Sequence, residues 1–328
     1  MSKRNPYYAG PVSDHFDGLR FFNPGQGSTD RGLRDILKWQ LGGGRAKWPR
    51  SVAVTPTKPE PRIEGLAVTM VGHASVLIQV EGTNILVDPV WSERASPVGF
   101  AGPRRVTAPG IAFEDLPPID LVLVTHNHYD HLDLATLRRI EATHAPLVVT
   151  PLGNDVVLRR AVAAERIVTL DWHGEHAAGD VRITCVPANH WSSRGLGDRR
   201  MALWGGFMVR TARRLVYNVG DTGFGDGRIF SEVKARHGAP DLAIIPIGAY
   251  APRWFMKDQH VDPAEAVRIM EACGAACAVG VHWGTFQLTD EARDEPRLRL
   301  AEAVRASGHD AEAFVALEPG QCWSMAAG

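Results

Sequence analysis

The stretch Thr125–Asp133, THNHYDHLD, places His126, His128, Asp130 and His131 within six residues. Imidazole nitrogens and carboxylate oxygens are the donors that a divalent ion such as zinc takes. A run of the form HxHxDH at the end of a strand can split its ligands, His126 and His128 towards one ion, Asp130 and His131 towards a second. The apolar run LVLVT (Leu121–Thr125) leads directly into it. A core strand has no packing reason to end in four titratable residues. The bland alternative is a polar loop that happens to be rich in histidine; the dense, strand-anchored spacing argues against it.

The elements that must carry this cluster follow from hydrophobic periodicity. From Leu66 the chain reads as short strands separated by turn residues: LAVTMVG, SVLIQVEG and TNILVDP form a meander of hairpins. A long Gly/Pro-rich loop, Val90–Pro118, precedes LVLVT, and a helix is expected from about Leu134 to Glu141. LVVTP, RIVTLD, RITCVPA, GGFMVRT, RLVYNVGD and LAIIPIG are further strands. A helix over Pro263–Cys273 precedes CAVGVHWG. The strands therefore come in two series, each interleaved with helices. This predicts an α/β protein of two face-to-face sheets with helices outside, an αββα sandwich.

Residues 1–65 differ. They hold 7 of the 22 prolines and a local charge of +5, whereas the whole 328-residue chain carries −1. Gly42–Gly44 and Pro56–Arg62 read as loop and linker. One helix is expected over Arg31–Leu41, with Leu33, Ile36, Leu37 and Leu41 on one face. Residues 1–65 are thus read as a Pro-rich arm packed on a domain of residues 66–328. No apolar run approaches the roughly 20 residues of a membrane span, and the first residues show no apolar signal core; a cytoplasmic protein is the expectation, with peripheral membrane contact through the basic arm and its Trp39 and Trp48 as an option. Near-zero net charge argues against nucleic acid as partner. Cys185, Cys273, Cys277 and Cys322 are read as small buried hydrophobes in a reducing compartment, Cys273 and Cys277 sharing a helix face.

HxHxDH after a strand resembles the metallo-β-lactamase fold of hydrolases, which adds a third His, a bridging Asp and a fourth His at later strand ends. His190 in VPANHWSSR, Asp221 in VYNVGDTGF and His282 in AVGVHWGTF stand in that order. Segments GHASVLIQVEGTNILVDPVWSERASPVGFAGPRR, NHWSSRGLGDRRMALWGGFMV, GDTGF, YAPRWFMKDQHVDPAEAV and HWGTFQLTDE are similar to N-acylphosphatidylethanolamine-hydrolysing phospholipase D, as is the early FFNP…LKWQ. The resemblance runs from about Leu19 to Pro296, and Tyr129 points to the same branch. The branch is also similar to L-ascorbate-6-phosphate lactonases.

The resemblance implies two divalent ions, one on His126, His128 and His190, the other on Asp130, His131 and His282, with Asp221 bridging. Such a pair lowers the pKa of a shared water and stabilises charge on an attacked phosphorus or carbonyl. Zinc suits the N/O donors, and manganese, iron and nickel also occupy such sites. The implied reaction is phosphodiester hydrolysis of a phospholipid to phosphatidic acid and an N-acylethanolamine, and homodimers are common in the branch. A lactonase or other acyl hydrolase is the alternative, and a nuclease or a non-catalytic metal-binding protein fits less well. For the leaving group's proton, Asp130 is one candidate. His260, with Gln259, is expected near the phosphate, His73 and Asp88 behind the ligands. Trp191, Trp204, Trp254, Phe255 and Trp283 are candidates for an acyl groove, and Arg104, Arg105, Arg194 and Arg253 for phosphate contacts. His144, His173, His176, His237 and His309 are read as surface residues.

Overall fold

The computed structural model describes residues 4–27 and 30–326, without the side chain of Leu33. The hairpin meander forms as the pattern requires: β1 (Leu66–Gly72), β2 (Ser75–Val80) and β3 (Thr83–Val87) pair antiparallel. Glu81 and Gly82, at φ 44° and 79°, make the two-residue turn between β2 and β3. Positive φ at both positions matches the right-handed strand twist. The chain then switches to parallel pairing through β4 (Leu121–Leu123), β5 (Leu147–Pro151) and β6 (Ile167–Leu170), with α2 (Leu134–His144) and α3 (Asp155–Leu158) as crossovers. One further helix, α1 (Leu33–Leu41), precedes the sheets.

The second series repeats the plan. Strands β7 (Glu175–Ala178), β8 (Val181–Val186), β9 (Gly206–Arg210) and β10 (Leu215–Asn218) pair antiparallel; β11 (Leu242–Pro246), β12 (Cys277–Val281) and β13 (Phe314–Ala316) continue in parallel. Helices α4 (Arg228–His237), α5 (Arg253–Met256), α6 (Pro263–Cys273) and α7 (Glu295–Ala306) lie between them. The last strand, β14 (Cys322–Met325), returns to pair with β1, so each sheet has seven strands.

Alternation decides which side chains face the other sheet. Val68, Val76, Ile85 and Leu123 of the first sheet meet Ile183, Phe207, Ile244 and Val279 of the second in one core. The opposite faces bury Leu77, Leu86 and Val122 under α2 and α3, and Tyr217, Ala243 and Ile245 under α4, α6 and α7. The αββα sandwich expected from the sequence is borne out. Each such buried aliphatic contributes about 1.5–3 kcal/mol, and no single contact dominates.

Residues of the arm bury apolar side chains on the sandwich: Phe16 and Phe21 pack with Ala188, Leu203 and Trp204. Trp39 Nε1 donates to the Asp290 carboxylate at 2.8 Å and Trp48 Nε1 to the Glu291 carbonyl at 2.8 Å, so both tryptophans are anchored to the protein. Leu37 and Leu41 are exposed on α1, so the apolar face expected there covers little, and the side chain of Leu33 lies outside the described part.

Several elements carry little sequence signal. The EHAA of β7 is an edge strand of polar and small residues, and α4 buries only Phe230 and Val233. Cys273 ends α6 and Cys277 opens β12, so they share no helix face. Cys185 and Cys273 are buried, but Cys277 is half-buried and Cys322 exposed on the edge strand β14, which corrects the reading of all four as buried. Among the described residues no helix is long and apolar enough to cross a membrane.

Candidate metal centre

Strand direction gathers the site. β1, β3 and β4 run the same way in the first sheet, and β8, β10, β11 and β12 do so in the second. The residues that follow their C-terminal ends therefore share one rim: His73 after β1, Asp88 after β3, His126–His131 after β4, His190 after β8, Asp221 after β10 and His282 after β12. The sheets are tied there by His282 N donating to the His73 carbonyl at 2.8 Å and Gly205 N to the Thr125 carbonyl at 3.2 Å. His73, Asp88 and His282 adopt positive φ (56°, 42° and 63°), an unfavourable conformation for such residues. Backbone strain of this kind is typical where surrounding structure aims side chains at a functional point. Gly220, at φ 69°, leads into Asp221, and a Cβ there would lie 2.9 Å from the Gly205 carbonyl oxygen. Only glycine permits that approach.

All seven expected ligands converge, in two groups. His126 Nε2 lies 2.8 Å from His128 Nδ1, which lies 3.3 Å from His190 Nε2. Beside them, His131 Nε2 and His282 Nε2 approach Asp221 Oδ2 at 3.1 and 3.0 Å, and Asp130 Oδ2 at 3.5 and 3.3 Å. Asp221 is shared, since its Oδ2 is also 3.8 Å from His190 Nε2. Donor atoms of His126, His128 and His190 lie within 4.8 Å of one another, as do those of His73, Asp130, His131 and His282.

The partners behind these rings set which nitrogen faces inward. Asp88 Oδ2 accepts from His131 Nδ1 at 2.7 Å and from the Thr125 hydroxyl at 2.6 Å. The Thr125 oxygen, having donated to Asp88, accepts from His126 Nδ1 at 3.0 Å. His190 Nδ1 donates to the Gln259 carbonyl at 3.0 Å. Each of these rings thus spends Nδ1–H outward and turns Nε2 into the centre, the usual way a ligating histidine is fixed. His128 instead offers Nδ1.

Burial shapes the protonation. It holds His126 and His190 well below the ordinary histidine range and His128 at about 4. Burial also opposes charge on His131 and His282, but the Asp221 and Asp130 carboxylates outweigh it, raising His131 well above its usual range and His282 to about 9. Burial disfavours ionised Asp130 and Asp221, yet the facing histidines keep both well below the usual carboxylate range. The centre therefore holds two carboxylates balanced by protons on histidines, and a cation entering it would take the place of those protons. Buried His131 Nε2, His282 Nε2 and His260 Nδ1 face the Asp221 carboxylate without a hydrogen bond of regular geometry. Such a set of inward-facing, unsatisfied donors fits divalent cations.

His260 Nδ1 lies 3.9 Å from Asp221 Oδ2, and burial lowers its pKa to about 3. His73 Nε2 lies 2.9 Å from Asp130 Oδ2, behind the ligands. The side chain of Gln259 is committed elsewhere: its Oε1 accepts from Trp191 Nε1 and its Nε2 reaches Met256 Sδ. Its backbone carbonyl, not its amide, serves the site. The four arginines also have partners: Arg104 pairs with Glu93, Arg253 with Glu265, Arg105 donates to the Trp91 carbonyl, and Arg194 to the carbonyls of Asn127 and Leu132. Of the aromatic residues, Trp204 and Trp283 are core, Phe255 packs on Trp39, and half-buried Trp191 stands 4.4 Å from the His128 ring. Of the histidines read as surface, His144 accepts from Ile119 N, His173 stacks on His237, and His309 faces Glu271. Thr125 is a further residue of the site, and its sequence signal is only a hydroxyl beside a ligand histidine.

Residues 83–283 match the family described as the beta-lactamase superfamily domain. The chain is 40% identical over 271 residues to N-acyl-phosphatidylethanolamine-hydrolyzing phospholipase D 1 of Caenorhabditis elegans, covering 79% of this chain and 76% of that one. The chain belongs to the metallo-β-lactamase superfamily. As a metal-dependent hydrolase of that superfamily it is also 30% identical to a metal-dependent hydrolase of Methanopyrus kandleri over 262 residues, 79% of this chain and 99% of that one. The fold superimposes on an isothiocyanate hydrolase from Delia radicum gut bacteria with a TM-score of 0.64 at 20% identity, covering 80% of this chain and 99% of that one.

Proposed function

We propose that the chain is a binuclear metal-dependent phosphodiesterase that hydrolyses N-acylphosphatidylethanolamine to phosphatidic acid and an N-acylethanolamine. The observation that carries the reading is the 40% identity to the nematode phospholipase D. The paired donor groups sharing Asp221 support the two-ion part. His126, His128 and His190 would hold one ion, Asp130, His131 and His282 the other, and Asp221 both. Two divalent ions held by these residues, zinc being suited to the N/O donors, would supply Lewis acidity, lowering the pKa of a shared water and offsetting charge on the phosphate.

The chain's own residues do the rest. Asp88 and Thr125 fix the tautomers of His131 and His126, and the Gln259 carbonyl fixes that of His190. Asp130, ringed by His73, His131 and His282, stays ionised and acts as a ligand rather than a proton donor. His260, neutral near pH 7, holds a buried, unpartnered Nδ1 3.9 Å from Asp221 Oδ2, where it would contact the phosphate or the leaving oxygen. On this reading the substrate is a bilayer lipid, so the rim has to meet a membrane surface.

The test is metal analysis of the purified protein with turnover of N-acylphosphatidylethanolamine, bis(p-nitrophenyl) phosphate and a sugar-phosphate lactone. Two ions with turnover of the lipid are expected. Two ions with turnover of only the small diester would remove the lipid, and turnover of only the lactone would remove the phosphodiesterase.

A further inference from the structure

Behind the loop that carries Asp130 and His131 lies a separate cavity of about 450 Å³, lined by Arg94, Arg138, Arg160 and Arg194, with Tyr129 and Asp133 in its wall. In a chain of net charge −1, four guanidinium groups on one cavity need an account. Their hydrogen bonds go to carbonyl oxygens: Arg94 Nη1 to Gly102 at 2.7 Å, Arg138 Nε to Arg160 at 3.2 Å, and Arg194 Nη1 to Asn127 and Leu132 at 3.0 and 2.8 Å. Arg94 Nε is buried without a partner.

The acids nearby are already engaged. Glu93 in the same lining pairs with Arg104 at 2.6 Å. Asp133 accepts from Ala135 N, Ser92 N and the Thr136 hydroxyl while capping α2. Among the described residues, no ion pair within 4.0 Å joins any of the four arginines to a carboxylate. Four guanidinium groups against the two carboxylates of Glu93 and Asp133 leave the lining with a surplus of positive charge, which suits the oxygens of a tetrahedral dianion.

We infer that this cavity is a second anion site, which takes a phosphate group independently of the metal centre. The group belongs either to free phosphate or to the headgroup of a phosphomonoester lipid. It uses none of the ligand residues, so it stands whether or not the phosphodiesterase reading does. The apolar side chains of Val98 and Phe100, both exposed on the loop beside Arg94, give an organic portion somewhere to rest.

Calorimetric titration of the metal-loaded protein with inorganic phosphate, and separately with dihexanoyl phosphatidic acid, tests this. The variant is Arg138→Gln combined with Arg160→Gln, both exposed residues outside the metal site. Saturable, salt-sensitive binding that weakens about tenfold or more in the variant is expected. Weakening with both probes identifies the phosphate group itself as the ligand; weakening with the lipid probe alone identifies a phosphomonoester headgroup. Phosphate held only at the metal centre would bind both proteins equally, and that result, or no binding to either, overturns the inference. Arg138→Lys, which keeps the charge, should restore part of the affinity; melting temperatures verify that the variants are folded.

Discussion

The two sheets contribute to the centre in opposite ways. The first delivers four donors from a single loop, His126 to His131, held from behind by Thr125 and by Asp88 at the end of the neighbouring strand. The second delivers one donor from each of three strand ends: His190, Asp221 and His282. The first half is local, its geometry largely set by nine consecutive residues. The second exists only because parallel and antiparallel pairing bring three strands, dozens of residues apart, to one edge. The contiguous half needs only the neighbouring strand end behind it, whereas the scattered half depends on the whole sandwich.

The comparison is most exposed at Asp221, whose Oδ2 lies 3.8 Å from His190 Nε2 in one group and 3.1 and 3.0 Å from His131 and His282 Nε2 in the other. Asp221→Ala should lower the metal content and cut turnover by about 10³-fold, with the far-ultraviolet dichroism unchanged. Full turnover with two bound ions would break the two-group picture. Next, removing metal with a chelator should lower stability by about 4 kcal/mol relative to protein in metal at a thousandfold excess over its Kd. Because the second half is assembled by the fold, hydrogen exchange should rise more at the ends of β8, β10 and β12 than in the His126–His131 loop. Equal exchange in both would remove the distinction drawn here.

Asp88→Asn sharpens it further. Asp88 uses both oxygens as acceptors, Oδ1 from Thr125 N and Oδ2 from His131 Nδ1 and the Thr125 hydroxyl. An amide keeps only one acceptor oxygen and turns an NH2 towards a donor at the other, so metal affinity or turnover should fall about 10- to 100-fold. Titration of metal into the apo variant measures it, and an unchanged affinity would show that the loop needs no support from β3.

The smallest effect is expected where the arm meets the first sheet. His15 is buried between Asp171 at 2.7 Å and Asp14 at 2.6 Å. Burial lowers its pKa, but hydrogen bonds to Asp171 and Asp14 outweigh this and leave it raised. A raised folded pKa means the stabilisation is complete below the unfolded value of 6.5 and is lost as pH rises through the folded value. The melting temperature should therefore decline slightly as the pH rises above about 6.5 in the native chain, and less so in His15→Gln. Parallel curves for the two proteins would remove the arm contact from the pH response.

Much of this was legible before any coordinates, for identifiable reasons. The strands of the sandwich alternate or are wholly apolar, so their existence follows from residue type. Helix α6 announces itself with Asp262 as N-cap, Pro263 behind it and Gly274 at its end. By contrast α4 and β7 bury too few apolar side chains to leave a pattern, and β14 gains its place only by returning to β1. Gln259 shows the same limit at the site, since a backbone carbonyl that orients His190 has no sequence signature.

What the sequence determined by itself is the chemistry of the donors: four in HxHxDH after a buried strand, and a His, an Asp and a His at later strand ends. Those side chains are short, and their identity limits what they can ligate. Folding settles which nitrogen each histidine presents, how near Asp221 comes to both groups, and that Arg194, while donating to the ligand loop, joins Arg94, Arg138 and Arg160 around one cavity. Hydrogen-bond direction and proximity depend on partners far apart in the chain, and those partners meet only when the two sheets close on their common core.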